Sequence, residues 1–569
     1  MPAFLPINQK DMKERGWDEC DFIFVSGDAY VDHPSFAAAL ICRVLEAEGF
    51  KVGIIAQPDL EDPSAFTLLG RPRLAFLAGA GNLDSMVAHY TANKKLRSQD
   101  AYSPGGRAGL RPDRALLKYV EGIRRAHKKI PIIIGGIEAS LRRLAHYDYW
   151  SNSVRRSILL DSKADILVYG MGERVIIEIA HSLSQGEDIS DIDDIRGTCV
   201  RSNTPVAGAV ELPSYQTVKG TDEASLKAYV EHYLIQKQNS DPLSAKPLAE
   251  KDDSGSPERF IIQNPPALPL ETRDLDRIYE LPFTRLAHPV YDAEGGVPAL
   301  KEVQFSLVSS RGCFGGCSFC SLTFHQGRAI QSRSKESLAR EAKSLTKLPG
   351  FKGYIHDVGG PTANFYSAPC KKQASGGFCP ERECLYPKPC PKLKPDHGPY
   401  LQTLAALRNA DAKIKKVFIR SGIRFDYIMD DNTHGEKFLE TLCRHHVSGQ
   451  LKVAPEHISP KVLAAMGKPG DYESFRKRFF EVNKKLGMKQ YLIPYLILGH
   501  PGCTREDAEA LSKYLKQSGF TPDQVQDFYP SPGTLSTVMY HTGIDPRTGE
   551  EIHVPSDKER RAQRTLITR

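Results

Sequence analysis

The sequence predicts an α/β protein: a doubly wound parallel-sheet domain, then a polar connecting segment, then a partial (β/α)6 barrel. Three observations predict it. Short runs that are apolar throughout alternate with amphipathic stretches over residues 1–185, a polar linker and connecting segment occupies 186–295 and is Ser/Asp-rich over 186–258, and the alternation resumes over 296–540. A strand with no polar alternation belongs in a parallel sheet covered on both faces. Strands that alternate with helices build doubly wound sheets or barrels.

At 569 residues the chain exceeds what one core supports. In the first part the strands are FIFV (22–25), KVGIIA (51–56), LAFLAG (74–79), PIIIGG (131–136) and ADILVYG (164–170). HPSFAAALICRVLEAEG opens near Pro34 and closes at Gly49, the punctuation of a helix. RALLKYVEGIRRAH carries Leu116, Leu117, Val120 and Ile123 at helical spacing. The polar segment holds one helix around Leu226 to Leu234 and a flexible stretch, QKQNSDPLSAKPLAEKDDSGSP. In the barrel the order is strand VQFSLV, a cysteine loop, helix SKESLAREAKSL, strand GYIHDV and a Cys-rich insert at 366–398. Strands KVFIRS, LKVAPE, YLIPYLILG and QVQDFY follow, with helix TREDAEALSKYLKQSG before the last. Residues 541–569 read as a C-terminal extension.

Composition excludes some function classes. A net charge of +7 on so large a surface is too weak to announce a nucleic-acid partner. The start, MPAFLPINQKDMKERGW, has no apolar signal core, and YLIPYLILGH is short and broken by Pro and His, so a cytoplasmic protein with no membrane span is expected. Twelve cysteines in a reducing compartment stay thiols, available for metal or redox chemistry.

CFGGCSFC, residues 313–320, follows the first barrel strand, on the side where barrel enzymes keep their chemistry. Cys313, Cys317 and Cys320 can bind three irons of a [4Fe-4S] cubane and leave the fourth iron open to a small molecule. Gly315 and Gly316 let such a loop wrap an inorganic core. The alternative is zinc, which wants four ligands, with His325 completing a Cys3His set.

This motif resembles CxxxCxφC of the radical S-adenosylmethionine (SAM) superfamily, with Phe319 as the aromatic φ. The resemblance covers about residues 300–540 and implies that the open iron binds SAM and that one-electron reduction generates a 5′-deoxyadenosyl radical. Gly359, Gly360 and Pro361 look like the family's SAM-binding glycine segment, without the Glu that often follows. Glu456 in VAPEH resembles the polar residue that meets the SAM ribose. LILGHPGCTRED and FYPSPGT resemble strand ends of the methylthiotransferase and cobalamin-dependent branches. Arg420 and Arg424 flank the third strand end and read first as surface or salt-bridge residues, with a site role as the alternative. More narrowly, RGCFGGCSFC, LPFTR and APEH are similar to the YgiQ (UPF0313) family, whose longer members imply a shortened chain here.

The resemblance implies an electron donor such as flavodoxin or ferredoxin. It leaves the reaction open among methylthiolation, methylation, rearrangement and peptide or RNA modification. The rival reading is a non-catalytic iron-sulfur or zinc protein for redox sensing or nucleic-acid binding. The N-terminal domain, with IIIGG and YGMGE, resembles cobalamin-binding domains and holds Asp28, Asp32 and His33 on its first strand-to-helix loop, a ligand position in open α/β sheets. The cobalamin fingerprint DxHxxG is missing, since Val31 and Phe36 stand at its outer positions, so cobalamin is not expected. In the insert, Cys370, Cys379, Cys384 and Cys390 lie among too few large apolar groups to fold by burial. They can close a zinc site, hold an auxiliary cluster, pair, or stand as free thiols over the mouth of the site.

Overall fold

The computed structural model describes residues 3–255, 258–468, 470–519 and 525–568. The chain forms two compact units, Met1–Leu268 with Arg277–Gln304, and Pro269–Asp276 with Phe305–Arg569. Among the described residues no helix is long and apolar enough to cross a membrane.

In the first unit β1 (Phe22–Ser26), β2 (Val52–Ala56), β3 (Ala75–Gly79), β4 (Ile132–Gly135) and β5 (Ile166–Val168) are all parallel, in the order β2-β1-β3-β4-β5. The apolar runs have a direct cause. Phe22 and Phe24 enter the core on one face of β1 and Ile23 and Val25 the core on the other, so every position is buried. Each such side chain contributes about 1.5–3 kcal/mol. Helices α1 (Ala37–Ala47), α2 (Ala115–Ala126) and α3 (Glu173–Ser184) cover the faces. Leu116, Val120 and Ile123 are buried as their spacing predicts, and Leu117 is half-buried.

Residues 186–295 differ from the linker reading. β6 (Thr198–Ser202), β7 (Val210–Leu212), β8 (Leu248–Asp252) and β9 (Arg259–Gln263) extend the same sheet as β5-β6-β9-β8-β7. Three of the four added junctions, β5-β6, β6-β9 and β9-β8, are antiparallel. The charges that made this stretch look polar are partly internal. Glu250 on β8 is buried, 2.7 Å from His232 Nε2 on α4 (Glu223–Gln238), and accepts the Ala145 N–H at 2.8 Å. Only 256–257 of the expected flexible stretch lie outside the described residues.

Strand order reverses between β1 and β3, and there the loops converge so closely that a side chain on Gly27 would overlap the Ala80 carbonyl. The expected ligand loop turns inward at this point. Arg111 pairs with Asp28 at 2.8 Å and Asp100 at 3.1 Å, while Arg43 grips Asp32 through two hydrogen bonds of 3.0 and 2.6 Å. His33 is buried and its Nδ1 accepts the Ser35 N–H at 3.0 Å. Burial pushes the Asp28 carboxyl up to about 6 against the pull of Arg111.

The second unit has strand segments β10 (Ser306–Val308), β11 (Tyr354–Ile355), β12 (Asp357–Gly359), β13 (Lys416–Val417), β14 (Gln450–Glu456), β15 (Tyr491–Leu498) and β16 (Val525–Asp527). β11 and β12 are two halves of one barrel strand. Parallel pairing runs β10 to β12, β11 to β13, through an Ile423–Val453 bridge to β14, then to β15 and β16. Six strand positions thus stand side by side in chain order, the partial barrel that the sequence predicts. VQFSLV yields only β10, because Leu300–Val303 forms a helical turn. Gln524 of QVQDFY lies outside the described residues. Helices α5 (Lys335–Leu345), α6 (Gly398–Arg408), α7 (Tyr472–Leu486) and α8 (Arg505–Gln517) fill the intervals, the last opened by a Thr504/Asp507 capping box. The C-terminal segment is built into this unit: Gln563, on α9 (Asp557–Thr568), accepts the Gly499 N–H at 3.1 Å and donates to the Cys503 carbonyl at 3.2 Å.

Arg111→Met leaves Asp28 and Asp100 buried without their cation, and the expected loss of stability is about 3–5 kcal/mol at pH 7. Arg111 lowers the folded Asp28 pKa, so in its absence Asp28 takes up its proton at higher pH than the wild-type value near 6, and the loss relative to wild type shrinks as pH falls from 7 to 6. Equilibrium urea unfolding of the variant at the two pH values checks both statements.

Candidate functional site

The chain beyond β10 pairs Ser310–Arg311 antiparallel with Gln331–Ser332, which closes the base of the cysteine loop, and Cys313 N–H donates to the Gly327 carbonyl at 3.1 Å. Cys313 Sγ lies 3.6 Å from Thr362 Oγ1, just after the Gly-Gly-Pro turn, and accepts the Gly315 N–H at 3.4 Å. Among the described residues, no three of the loop sulfurs and His325 come within 4.8 Å of one another. One tetrahedral zinc with 2.3 Å bonds would hold its sulfurs about 3.8 Å apart. In a cubane each sulfur instead binds a different iron.

Two helices that follow β14 and β16 anchor the loop. Ser318 donates from its N–H to the Met466 carbonyl at 2.9 Å and from its hydroxyl to the Ala465 carbonyl at 2.8 Å. Ser536 donates its backbone N–H to the Ser318 carbonyl at 2.9 Å, and the two side-chain hydroxyls lie 2.8 Å apart. His500, at the end of β15, holds Ser536 Oγ at 2.6 Å, and burial pushes its pKa down to about 3.

One cation touches Cys317 and a second acts on it through space. Arg424 Nη1 donates to its sulfur at 3.5 Å and to the Gly315 carbonyl at 3.0 Å. Lys468, also buried, pairs with Glu456 at 3.1 Å and donates to the Ala454 carbonyl at 2.6 Å. The cysteines are partly exposed residues, yet enough protein surrounds the sulfurs that desolvation raises the Cys317 thiol, with Lys468 and Arg424 opposing it. Desolvation and the two companion sulfurs push Cys320 up to about 12. Without metal these two are neutral thiols, so metal uptake must displace their protons.

The structure gathers most of the residues singled out by sequence. Gly359 ends β12, where its carbonyl accepts the Ser309 N–H at 2.7 Å, and a side chain on Gly360 would overlap the Ser310 carbonyl. Pro361 continues this turn beside Thr362. Glu456 ends β14 with φ +68°, a left-handed strain tolerated because the Lys468 pair holds it. Phe319 packs on Val462, Leu463, Met466 and Cys503. Arg420 is exposed and stacks over Phe418, whereas Arg424 is buried at the loop. Lys468, Asp426 and the Ser318 anchors escaped the sequence reading, since no spacing rule marks a residue that acts by proximity across strands.

The insert also differs from expectation. It is docked by burial and by one arginine: Phe378 and Leu385 are buried, the latter with Phe314, Phe365 and Tyr427, beside Cys313 and Cys384. Arg328 donates to the Cys379 carbonyl at 3.0 Å and the Arg382 carbonyl at 2.8 Å, pairs with Glu383 at 3.0 Å and lies over the Phe378 ring. Glu383 reaches the loop, 2.8 Å from where a side chain on Gly316 would begin. Among the described residues, no three of Cys370, Cys379, Cys384 and Cys390 have sulfurs within 4.8 Å, so a single-zinc set is not assembled.

Comparison with known proteins follows the same division. A radical SAM N-terminal family matches residues 4–306, the radical SAM superfamily 307–515, and a domain of unknown function (DUF3362) 523–568. A UPF0313 protein of Clostridium botulinum (strain 657 / Type Ba4) is 54% identical, over 99% of this chain and 87% of its own length. A UPF0313 protein of Clostridium perfringens (strain 13 / Type A) is 52% identical, over 99% and 84%. Among solved structures, the radical SAM methyltransferase TsrM from Kitasatospora setae, with tryptophan and a SAM analogue bound, is similar at TM-score 0.51 and 16% identity, over 90% of this chain and 74% of that one. A second TsrM structure, with cobalamin and a [4Fe-4S] cluster bound, matches equally at TM-score 0.51, over 90% and 76%.

That likeness overturns the expectation that cobalamin has no place here. The fold of this chain is one on which a radical SAM enzyme does carry cobalamin. The missing DxHxxG pattern concerns a single coordination bond, whereas so large a ligand is held mainly by the shape of its pocket.

Arg328→Gln removes the hub of the insert while leaving the three loop cysteines in place. Limited proteolysis should then cut within 366–398 at least tenfold faster than in the wild type, with the rest of the barrel resisting as before; mass spectrometry of the fragments checks the sites.

Proposed function

This chain belongs to the UPF0313 family of radical SAM proteins, and from that premise we propose that it cleaves SAM reductively to start radical chemistry on a substrate still to be identified. One observation carries the reading: three thiols on one loop after the first barrel strand, with the buried Arg424 guanidinium donating to the middle one. When bound, a [4Fe-4S] cluster supplies one-electron reduction of the SAM sulfonium, and the resulting 5′-deoxyadenosyl radical abstracts hydrogen from substrate. Cys313, Cys317 and Cys320 would hold it. Phe319, the Gly359–Gly360–Pro361 turn and Glu456 would line the SAM site.

The chain's own contribution is placement and exclusion of water. Arg424 and Lys468 offset the negative charge that three thiolates and the core would bring together, a large effect where protein replaces water. The Ser318 and Ser536 anchors keep the loop closed against the helices Pro460–Ala465 and Leu535–Thr542. A low-potential one-electron protein such as flavodoxin or ferredoxin would be the reductant, in the cytoplasm. A corrinoid on the N-terminal unit enters the reading through the TsrM likeness, and corrinoid absorbance of protein from cells supplied with hydroxocobalamin tests it. The rival reading, a non-catalytic metal protein, lacks a use for the SAM-side strand ends.

Anaerobically reconstituted protein should bind about four irons per chain and, with dithionite and SAM, release 5′-deoxyadenosine. Cys317→Ala should lose the stable cluster and at least a hundredfold of that release. Iron analysis and chromatography of the products decide, and a Cys317→Ala protein with wild-type release overturns the assignment.

A further inference from the structure

We propose that Arg424 is a positioning residue that raises the reduction potential of the cluster held by the cysteine loop, an inference that rests on the cluster reading above. Its guanidinium is fixed on both edges. Nη1 faces the loop, donating to Cys317 Sγ at 3.5 Å and the Gly315 carbonyl at 3.0 Å, while Nε and Nη2 grip Asp426 at 2.8 and 2.6 Å. The side chain is 8% exposed, so neither contact is a loose surface pairing.

Its backbone is fixed as well. Asn364 accepts the Arg424 N–H at 2.8 Å and donates to the Arg424 carbonyl at 3.0 Å. The same amide nitrogen lies 3.1 Å from His397 Nε2, and His397 Nδ1 lies 2.8 Å from Asp431 Oδ2. The Asp431 carboxylate only accepts, so Nδ1 carries the proton and Nε2 receives the Asn364 amide. Burial keeps His397 neutral against the pull of Asp431. The Asp431–His397–Asn364 chain therefore leaves Asn364 one orientation, and with it the Arg424 backbone.

Gly315 completes the arrangement. A side chain there would begin 2.7 Å from Arg424 Nη1, so the glycine is the opening through which the guanidinium reaches the loop. Potentials of such clusters depend on net charge, hydrogen bonds to sulfur and exposure to solvent. Arg424 directs an N–H dipole and the nearer positive charge at one ligand sulfur, with Asp426 on the opposite edge. That geometry favours the state carrying one more electron, delivered by the external one-electron donor.

The test is an EPR-monitored redox titration of anaerobically reconstituted wild type, Arg424→Gln and Arg424→Lys, with iron counted in each. Arg424→Gln should keep its iron and lose at least tenfold in the reduction equilibrium, a fall of 59 mV for one electron. Arg424→Lys, which keeps charge without the fork, should fall less. Gly315→Ala, which displaces the guanidinium without deleting it, should shift the same way. Arg424→Gln with full iron at the wild-type potential overturns the inference. If Arg424→Gln loses iron, Arg424→Lys carries the test, and full iron at the wild-type potential in that variant overturns it too. Iron loss in both assigns Arg424 to structure alone and also overturns it. A wild-type chain that binds no cluster sinks the underlying reading together with this one, which separates the two failures.

Discussion

Three cysteine sulfurs stand within eight residues, and desolvation raises two of the thiols, Cys317 and Cys320, so positive charge must be supplied for those two to ionise. Much of the second unit follows from that constraint. Arg424 and Lys468 come from chain segments far from the loop and from each other, and each needs its own carboxylate, Asp426 or Glu456, because a buried cation without one is costly. Placing those pairs demands a small residue at Gly315 and a strained backbone at Glu456. Strain and glycines collect where the charges are, as expected of a site whose geometry is over-determined.

The first unit obeys the same rule with no cysteine loop to serve. Arg111 and Arg43 neutralise Asp28, Asp100 and Asp32 at the point where strand order reverses. Loops at such points are where open α/β sheets take their ligands. Here this chain's own arginines pair with the carboxylates of those loops. The likeness to a cobalamin-carrying enzyme concerns the fold, so which surface of this unit meets a ligand is a question for its loops.

The cysteine loop lies inside the radical SAM match at 307–515, and the UPF0313 relatives share nearly the whole chain. The insert's Phe378, Leu385 and Arg328 contacts tie it to the cysteine loop, so what it presents to solvent stands beside that loop.

The sequence alone determined the two α/β parts, because apolar runs buried on two faces and helices with one buried stripe follow from periods of two and 3.6 residues. It also determined the loop of Cys313, Cys317 and Cys320, whose spacing is local. It misjudged 186–295, since Glu250 reads as surface until His232 is seen beside it, and it misjudged the insert, whose partner Arg328 lies some fifty residues upstream of Cys379. Arg420 and Arg424 looked alike in the chain; the strand end buries one against Cys317 and leaves the other in water. Lys468 carried no signal at all. Charge compensation acts through space over a few ångströms, and only the closed barrel decides which distant cations stand that close.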